Sequence, residues 1–370
     1  MSDAAVERIE RIEAFRVRVP LPHALRVWGR EITAREFVFV RAHAGGYTGV
    51  GFAFTRGMPL DVVVEQQIAQ FALGRPTHEI RGFWNAARAA ARMTTESGIY
   101  MRAISLVDLA LWDLHGHVVG QPLWKLLGGA RSSVACLAIC GYYRPGVDWK
   151  VASLRALNEE IERLLPVGYT RFKIPFGEDI ALDADRIRAL RSAAGPHAMI
   201  GLDASGVFDS VKQAEQAWGR IDSLGVDFLE DPFPADRPEL ASELARRLPV
   251  PVAYGESITS PLAMQRLAED DALDILRPDA TVIGGITGFQ QSIAPALERR
   301  IRVFPHYYPD LHAPLAAALD LEMIEESPAE AETVALNVLR GDPPIRDGRW
   351  HLGDEPGFGI DWKKVNSDSG

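Results

Sequence analysis

Cysteine is nearly absent from these 370 residues: only Cys136 and Cys140 occur, both on one apolar run, SVACLAICGYY. No Cys–His grouping has the spacing of a structural zinc module, and both residues read as buried free thiols. Long apolar runs are missing too, so no segment is expected to span a bilayer. The start, MSDAAVERIERIEAF, is charged and lacks the apolar core of a signal peptide, and a reducing cytoplasm is the expected location. Positive charge is in deficit. Lys and Arg number 40 against 50 Asp and Glu, and the formal net charge of -10 excludes general binding to nucleic acid or anionic membrane. That sum leaves the substrate's sign open, because a bound cation and one lysine can invert the field locally. Low-complexity tracts are lacking apart from the polar tail VNSDSG. What is there is ordinary for a globular enzyme, 47% apolar and 24% charged. The length exceeds a usual single core, so two domains or one elaborated barrel is expected.

The residue pattern changes twice along the chain. From about Ile12 to Ala53 apolar and polar residues alternate, predicting a three-stranded antiparallel sheet with a hairpin turn at Ala44-Gly45-Gly46. The loop between its first two strands is expected to carry His23, Trp28 and Arg30. From about Pro59 to Leu127 the period is helical, clearest in ISLVDLALWDLHGHVVG. There Ile104, Leu106, Leu109, Leu111, Trp112 and Leu114 form most of a wide apolar face. Strands followed by segregated helices make an α+β domain. Beyond Gly129 strand and helix alternate. VACLAICGYY, TRFKIPFG, AMIGLDAS, VDFLEDPF, VPVAYGES, LDILRPD and RVFPH are near-continuous apolar runs, as in a parallel sheet covered on both faces. Helical stretches such as SVKQAEQAWGRIDSLG and PELASELARRL separate them. Seven or eight such units predict an α/β fold, a TIM-type barrel of about 210 residues.

Five of these runs end in a residue that can do chemistry: Asp203, Glu230, Glu256, Asp279 and His306, spaced 23 to 27 residues apart. That interval is one strand-plus-helix unit, and a barrel gathers the C-terminal ends of its strands around one mouth. A lone acid after an apolar run is ordinarily a helix cap. Three in successive units, each at the same point of its strand, read as oxygen ligands for a divalent cation such as Mg²⁺. Asp231 and Ser257, which follow directly, read as helix caps or as supports of those ligands. Alone, His306 is equally a core histidine. With Asp279 on the neighbouring strand it becomes half of a proton-transfer pair, the carboxylate fixing one ring nitrogen and raising the basicity of the other. His312 reads as structural. Lys173 is expected to face the same cavity and offset a substrate carboxylate.

These residues, in this order, resemble the enolase superfamily and, within it, the mandelate racemase subgroup. The likeness includes LVDLALWDLHGHVVGQPLWKLLGG, PDATVIGGIT, FPH and EPGFGIDW. It implies a modified (β/α)7β barrel over residues 131–340, an N-terminal α+β capping domain over 1–130, and a segment, 341–370, packing back on the cap. It also implies a homo-oligomer, often an octamer. Asp279 and His306 match the subgroup's dyad, while Val282 stands where a related subgroup carries a lysine base. The chain departs from the pattern on the second strand. Lys-x-Lys is replaced by Lys173-Ile174-Pro175, and the retained Lys173 matches the lysine that contacts the substrate carboxylate. Ser205 stands where an asparagine is frequent, an expected loss of a supporting amide. In MIEE, Glu325 fits the register of a glutamate bonded to the substrate carboxylate, with Glu326 next.

The resemblance implies removal of the proton alpha to a carboxylate, with Mg²⁺, Lys173 and a protonated Glu325 stabilising the enediolate and His306 as base. A two-base racemase needs a proton donor on the opposite face, which Pro175 cannot be. Dehydration of a sugar acid to a 2-keto acid is therefore the leading expectation. A racemase or epimerase aided by Tyr142, Tyr143 or Arg144 is the alternative, and a catalytically silent carboxylate-binding protein is the non-enzymatic one. The cap loops, with Trp28 and Arg30, are expected to set specificity.

Overall fold

Alternation organises the first fifty-odd residues. The computed structural model describes residues 7–27, 29–93, 95–270, 273–327, 337 and 341–362. In it, β1 (Arg11–Val27), β2 (Arg30–Ala44) and β3 (Tyr47–Phe54) pair antiparallel in that order. Gly45 and Gly46 turn the second hairpin at φ 52° and 81°, values that suit glycine. The first hairpin differs from expectation. Its strands continue to the pair Val27↔Arg30, with a register irregularity between Pro20 and Leu25. His23 therefore falls in β1, and Arg30 opens β2 instead of lying in a loop. Trp28 lies outside the described residues.

Two long helices follow this sheet, α1 (Ile80–Ala90) and α2 (Ile99–Val119), and α2 covers it. Helix α2 lies directly on β3 because Gly49 and Gly51 leave it room. A Cβ at Gly49 would come within 2.1 Å of the Leu114 nitrogen. The helix is buried on nearly every side, including Ser105 and Asp108, because its other faces meet the barrel. It ends at Gly120, in the left-handed conformation that closes many helices.

The barrel strands are β4 (Ser133–Ile139), β5 (Arg171–Pro175), β6 (Met199–Asp203), β7 (Phe228–Glu230), β8 (Val252–Tyr254), β9 (Ile275–Leu276) and β10 (Arg302–Val303). They are parallel neighbours in sequence order. An eighth strand, β11 (Met323–Glu326), returns parallel to β4. Helices α3 (Trp149–Leu164), α4 (Ile180–Ala194), α5 (Val211–Trp218), α6 (Pro238–Ala245), α7 (Pro261–Glu269), α8 (Gly285–Arg299) and α9 (Pro309–Ala318) follow the first seven strands. The architecture is a (β/α)7β barrel under an α+β cap. Leu137, Phe228, Ile275, Phe304 and Met323 fill its interior, so it is a packed core closed beneath the mouth.

The hairpin β12 (Ile345–Arg346) and β13 (Arg349–His351) adds antiparallel to β4. The chain then crosses to the cap. Gly357 exchanges backbone bonds with Gln121 and Leu123, the Phe358 N–H donates to Asp113, and Trp362 meets Phe39 and Phe52 edge-on. Cap and barrel are clamped at the glycines of VIGGIT. The Trp84 indole donates to the Gly284 carbonyl at 2.8 Å, Ser105 Oγ accepts from the Gly284 N–H at 2.8 Å, and Asp108 accepts from the Thr287 N–H at 3.1 Å. A Cβ at Gly285 would lie 2.2 Å from Asp108 Oδ1, which is why the motif carries glycine there. Among the described residues no helix is long and apolar enough to cross a membrane.

Candidate active site

Strand ends deliver the carboxylates. Asp203 and Glu230 are the last residues of β6 and β7, and Glu256 lies two past β8. One oxygen from each lies within 4.8 Å of the others. Glu230 is wholly buried; its Oε1 takes the Lys173 ammonium at 2.7 Å and its Oε2 has no hydrogen-bond partner. Burial, opposed by Arg277 and Lys173 and reinforced by Glu325 and Asp203, pushes Glu230 up to about 7. A buried acceptor without a donor, beside two further carboxylate oxygens, is a hard-oxygen set that a divalent cation satisfies. The residues fit such an ion.

Supports for these ligands are local. The Ser205 hydroxyl and N–H donate to Asp203 Oδ1 at 2.7 and 2.9 Å. The serine thus holds the carboxylate that an amide was expected to hold. Asp231 accepts from the Gly255 N–H at 2.8 Å, tying β7 to the turn before Glu256. Ser257 caps no helix; Ser260 caps α7, accepting from the Ala263 N–H.

His306 faces this cluster. Its Nδ1 lies 3.0 Å from Asp279 Oδ2 and its Nε2 3.0 Å from Glu256 Oε2. Burial works against a charged imidazole here, but Glu256 and Asp279 outweigh it and hold His306 above its ordinary value. Asp279 is likewise held below its ordinary value, burial notwithstanding, by its bond to His306. Asp279 Oδ1 accepts from the Thr281 N–H and hydroxyl at 2.7 and 2.8 Å. This repeats the arrangement at Asp203, and the two segments, Asp-Ala-Ser and Asp-Ala-Thr, share a turn in which the carboxylate binds its own backbone two residues on. That repeat was available in the sequence as a sign that both aspartates are held rigid.

Lys173 and Glu325 lie beneath the cavity and not on its wall. Lys173 is 1% exposed, with its ammonium 2.7 Å from Glu230, 2.5 Å from Glu325 and 3.3 Å from Asp203. Buried among three carboxylates, a cation has its strongest attractions there. Glu325 pairs with both Lys173 and Arg277 and accepts from the Tyr307 N–H at 2.8 Å. Burial alone would raise it, but the two cations hold it well below the usual carboxylate range. This pairing favours its ionised form, whereas a protonated one was expected. Arg277 went unread in the sequence. It sits two residues before Asp279, fully buried, donating to the Phe304 carbonyl at 2.8 Å. An arginine inside the apolar run LDILRPD was the available signal.

Above these residues a cavity of about 460 Å³ separates barrel from cap, with Asp203, Glu256, His306 and Pro175 on its barrel side. Arg30 is exposed and does not line it, because the first hairpin carries it away; Arg35 and Arg56 supply the cap's charge instead. Tyr142 lines the cavity. The Tyr143 hydroxyl is committed to Asp183 at 2.6 Å and Arg144 to Glu160 at 2.7 Å.

Residues 11–128 match the family model for the mandelate racemase / muconate lactonizing enzyme N-terminal domain, and residues 156–365 match that for the enolase C-terminal domain-like family. The chain is 29% identical over 349 residues to the L-talarate/galactarate dehydratase of Salmonella typhimurium, covering 92% of this chain and 84% of that protein. It is 28% identical over 324 residues to the arabinonate dehydratase of Saccharolobus solfataricus, covering 85% and 84%. The crystal structure of the Salmonella enzyme with Mg and L-lyxarohydroxamate superposes with a TM-score of 0.86 at 26% identity, covering 98% and 93% of the chains. A racemase from Streptomyces coelicolor with bound magnesium gives the same TM-score and identity over 96% and 97%.

Proposed function

From the premise that this chain belongs to the mandelate racemase / muconate lactonizing enzyme family, we propose that it is a Mg²⁺-dependent sugar-acid dehydratase, forming a 2-keto-3-deoxy acid. The observation that carries the reading is His306. One ring nitrogen is anchored by Asp279 at 3.0 Å, and the other lies at the edge of the three-carboxylate cluster. Asp203, Glu230 and Glu256 would hold the ion. When bound, it supplies positive charge next to the carboxylate oxygens on which negative charge grows during α-proton removal.

In this mechanism Asp279 keeps the proton on His306 Nδ1, leaving Nε2 as the base. Nε2 takes the α-proton of the bound acid. The electron pair left at the α-carbon forms the double bond to the β-carbon as the β-hydroxyl departs, taking the proton back from Nε2 and leaving as water. The enol product gains a proton at its β-carbon from solvent, loses its hydroxyl proton to solvent, and becomes the keto acid. Lys173 is assigned to the substrate carboxylate; Glu325 would bond that carboxylate only once protonated, and Arg277 is the cation that holds it when the Lys173 ammonium turns to the substrate. Pro175 favours elimination over inversion, since it offers no acid on its face of the cavity.

The test is to incubate the Mg²⁺-loaded protein with a library of sugar acids in D₂O, following keto acid and the configuration of recovered substrate. Keto acid formation with unchanged configuration supports the proposal. Epimers accumulating without keto acid overturn it in favour of a racemase or epimerase.

A further inference from the structure

Most charged groups on the cavity wall are already engaged. Arg26 is held by Glu178 at 2.7 Å, and Glu36 accepts from Thr55 at 2.7 Å. Arg35 lies over the Phe54 ring, and Glu256 faces His306. Arg56 is the exception among the described lining residues: it has neither a hydrogen bond nor an ion pair. It follows β3 in the loop Thr55-Arg56-Gly57, exposed to the cavity, with its backbone at φ 47°. A residue bearing a side chain is strained in that conformation, and such strain clusters where a side chain must be aimed.

A second guanidinium stands close by. Arg102, on α2, is half-buried and also has no partner, and the two cations repel each other. Both feel the charges of Glu256 and Asp279, and Arg56 reaches the cavity from the cap side, whereas Asp203, Glu256 and His306 line it from the barrel. Two neighbouring cations with no carboxylate in hydrogen-bond reach form an arrangement that an anion completes.

We infer that Arg56 receives a second carboxylate, at the far end of the substrate, so that the substrate class is a sugar diacid. This rests on the proposed function, which places the first carboxylate at the acidic cluster. A guanidinium presents two parallel N–H donors that match a carboxylate's two oxygens. A cavity of about 460 Å³ has room for a chain of several carbons between the two ends. A distal hydroxymethyl group would leave both cations unpaired.

The test compares hexaric acids with hexonic acids of matching configuration on the Mg²⁺-loaded holoenzyme, taking kcat/KM from keto-acid formation. The native enzyme should prefer diacids by about a hundredfold or more, two charge-assisted bonds being at stake. Arg56→Gln should bring that ratio below about tenfold, chiefly through KM, and Arg56→Lys should fall between. Glutamine keeps a side chain on the left-handed backbone, so the loop is not relaxed as glycine would relax it. A ratio that Arg56→Gln leaves within about threefold, or a native preference for monoacids, overturns the inference. Should neither set yield keto acid or exchange its α-proton, the reading of the reaction fails separately. Calorimetric binding of the two sets then decides Arg56: tighter diacid binding that Arg56→Gln abolishes supports it, and equal or absent binding of both sets overturns it.

Discussion

Replacing His312 with phenylalanine should loosen both halves of the dyad at once. His312 is fully buried in α9; its Nδ1–H donates to the Tyr307 carbonyl at 2.7 Å and its Nε2 accepts from the Ala280 N–H at 3.0 Å. Tyr307 follows His306 and Ala280 follows Asp279, so one ring spans the two loops that carry the pair. Phenylalanine keeps the ring's volume and its contact with Phe289, but leaves one buried N–H and one buried carbonyl without partners. Each orphan costs about 1–3 kcal/mol. A total near 3 kcal/mol, set against an unfolding entropy of about 2.1 cal/mol/K per residue, lowers the apparent Tm by about 4 °C for a chain of 370 residues. The pH dependence is the sharper signature. Burial, with His306 and Arg277 and against Asp279, holds His312 below its ordinary value. A folded-state value depressed below about 6.5 means that the unfolded chain binds the extra proton first. The stability His312 contributes is therefore present above that pH and lost as pH falls below it, by at most about 1.4 kcal/mol per pH unit. Thermal scans of both proteins from pH 7.5 to 5 check this: His312→Phe should start lower and fall less steeply. An apparent Tm within about 1 °C of the native value, with the same acid slope, would refute the role of the two bonds.

Two further outcomes follow from the same geometry. His306→Asn should slow α-proton exchange by about 10²–10⁴ while Mg²⁺ affinity persists, and undiminished exchange would remove this ring from the role of base. Ser205→Ala takes one donor from Asp203 and should weaken Mg²⁺ binding by about tenfold to a hundredfold in calorimetric titration; unaltered affinity would mean that the hydroxyl does not orient the ligand.

The barrel was legible because its signal is redundant. Each parallel strand is a short apolar run before a helical stretch, and the repeat sets where each C-terminal end must fall. Asp203, Glu230, Glu256, Asp279 and His306 were picked out by that register alone, and the structure gathers them at one mouth. What eluded sequence reasoning depends on relations that no periodicity encodes. The expected loop at Arg30 became a continued hairpin because strand pairing carried past the irregularity at Pro20. Lys173 was expected on the cavity wall, since alternation says that it points inward. It does point inward, but alternation is blind to the pull of Glu230 and Glu325. Arg277 and His312 act across strands and loops, and Arg56 matters for the bonds it lacks, a property visible only once its neighbours are in place.

Pro175 joins these strands to the choice between two reactions. It ends β5 opposite Asp203 in the β6 register and lines the cavity. It shares a face with Lys173, two residues earlier. β5 and β10 lie across the barrel, separated by β6 to β9 on one side and by β4 and β11 on the other, so residue 175 confronts the His306 side of the mouth. The strand's anchor is the Pro175 carbonyl, which accepts from Arg186 at 2.8 Å, and a substitution of the side chain leaves it in place. Pro175→Lys should therefore cost only about 0.4–1 kcal/mol through the freer unfolded chain, and it puts an ammonium where a second base is missing. In D₂O the native enzyme should return unreacted substrate with its configuration intact. The variant should return a deuterated epimer alongside keto acid, with an inversion rate about 10²-fold or more above the native background if the new group works as an acid. A folded variant that still exchanges the α-proton but yields no more epimer than the native enzyme would show that proline at this position is not what favours elimination over inversion.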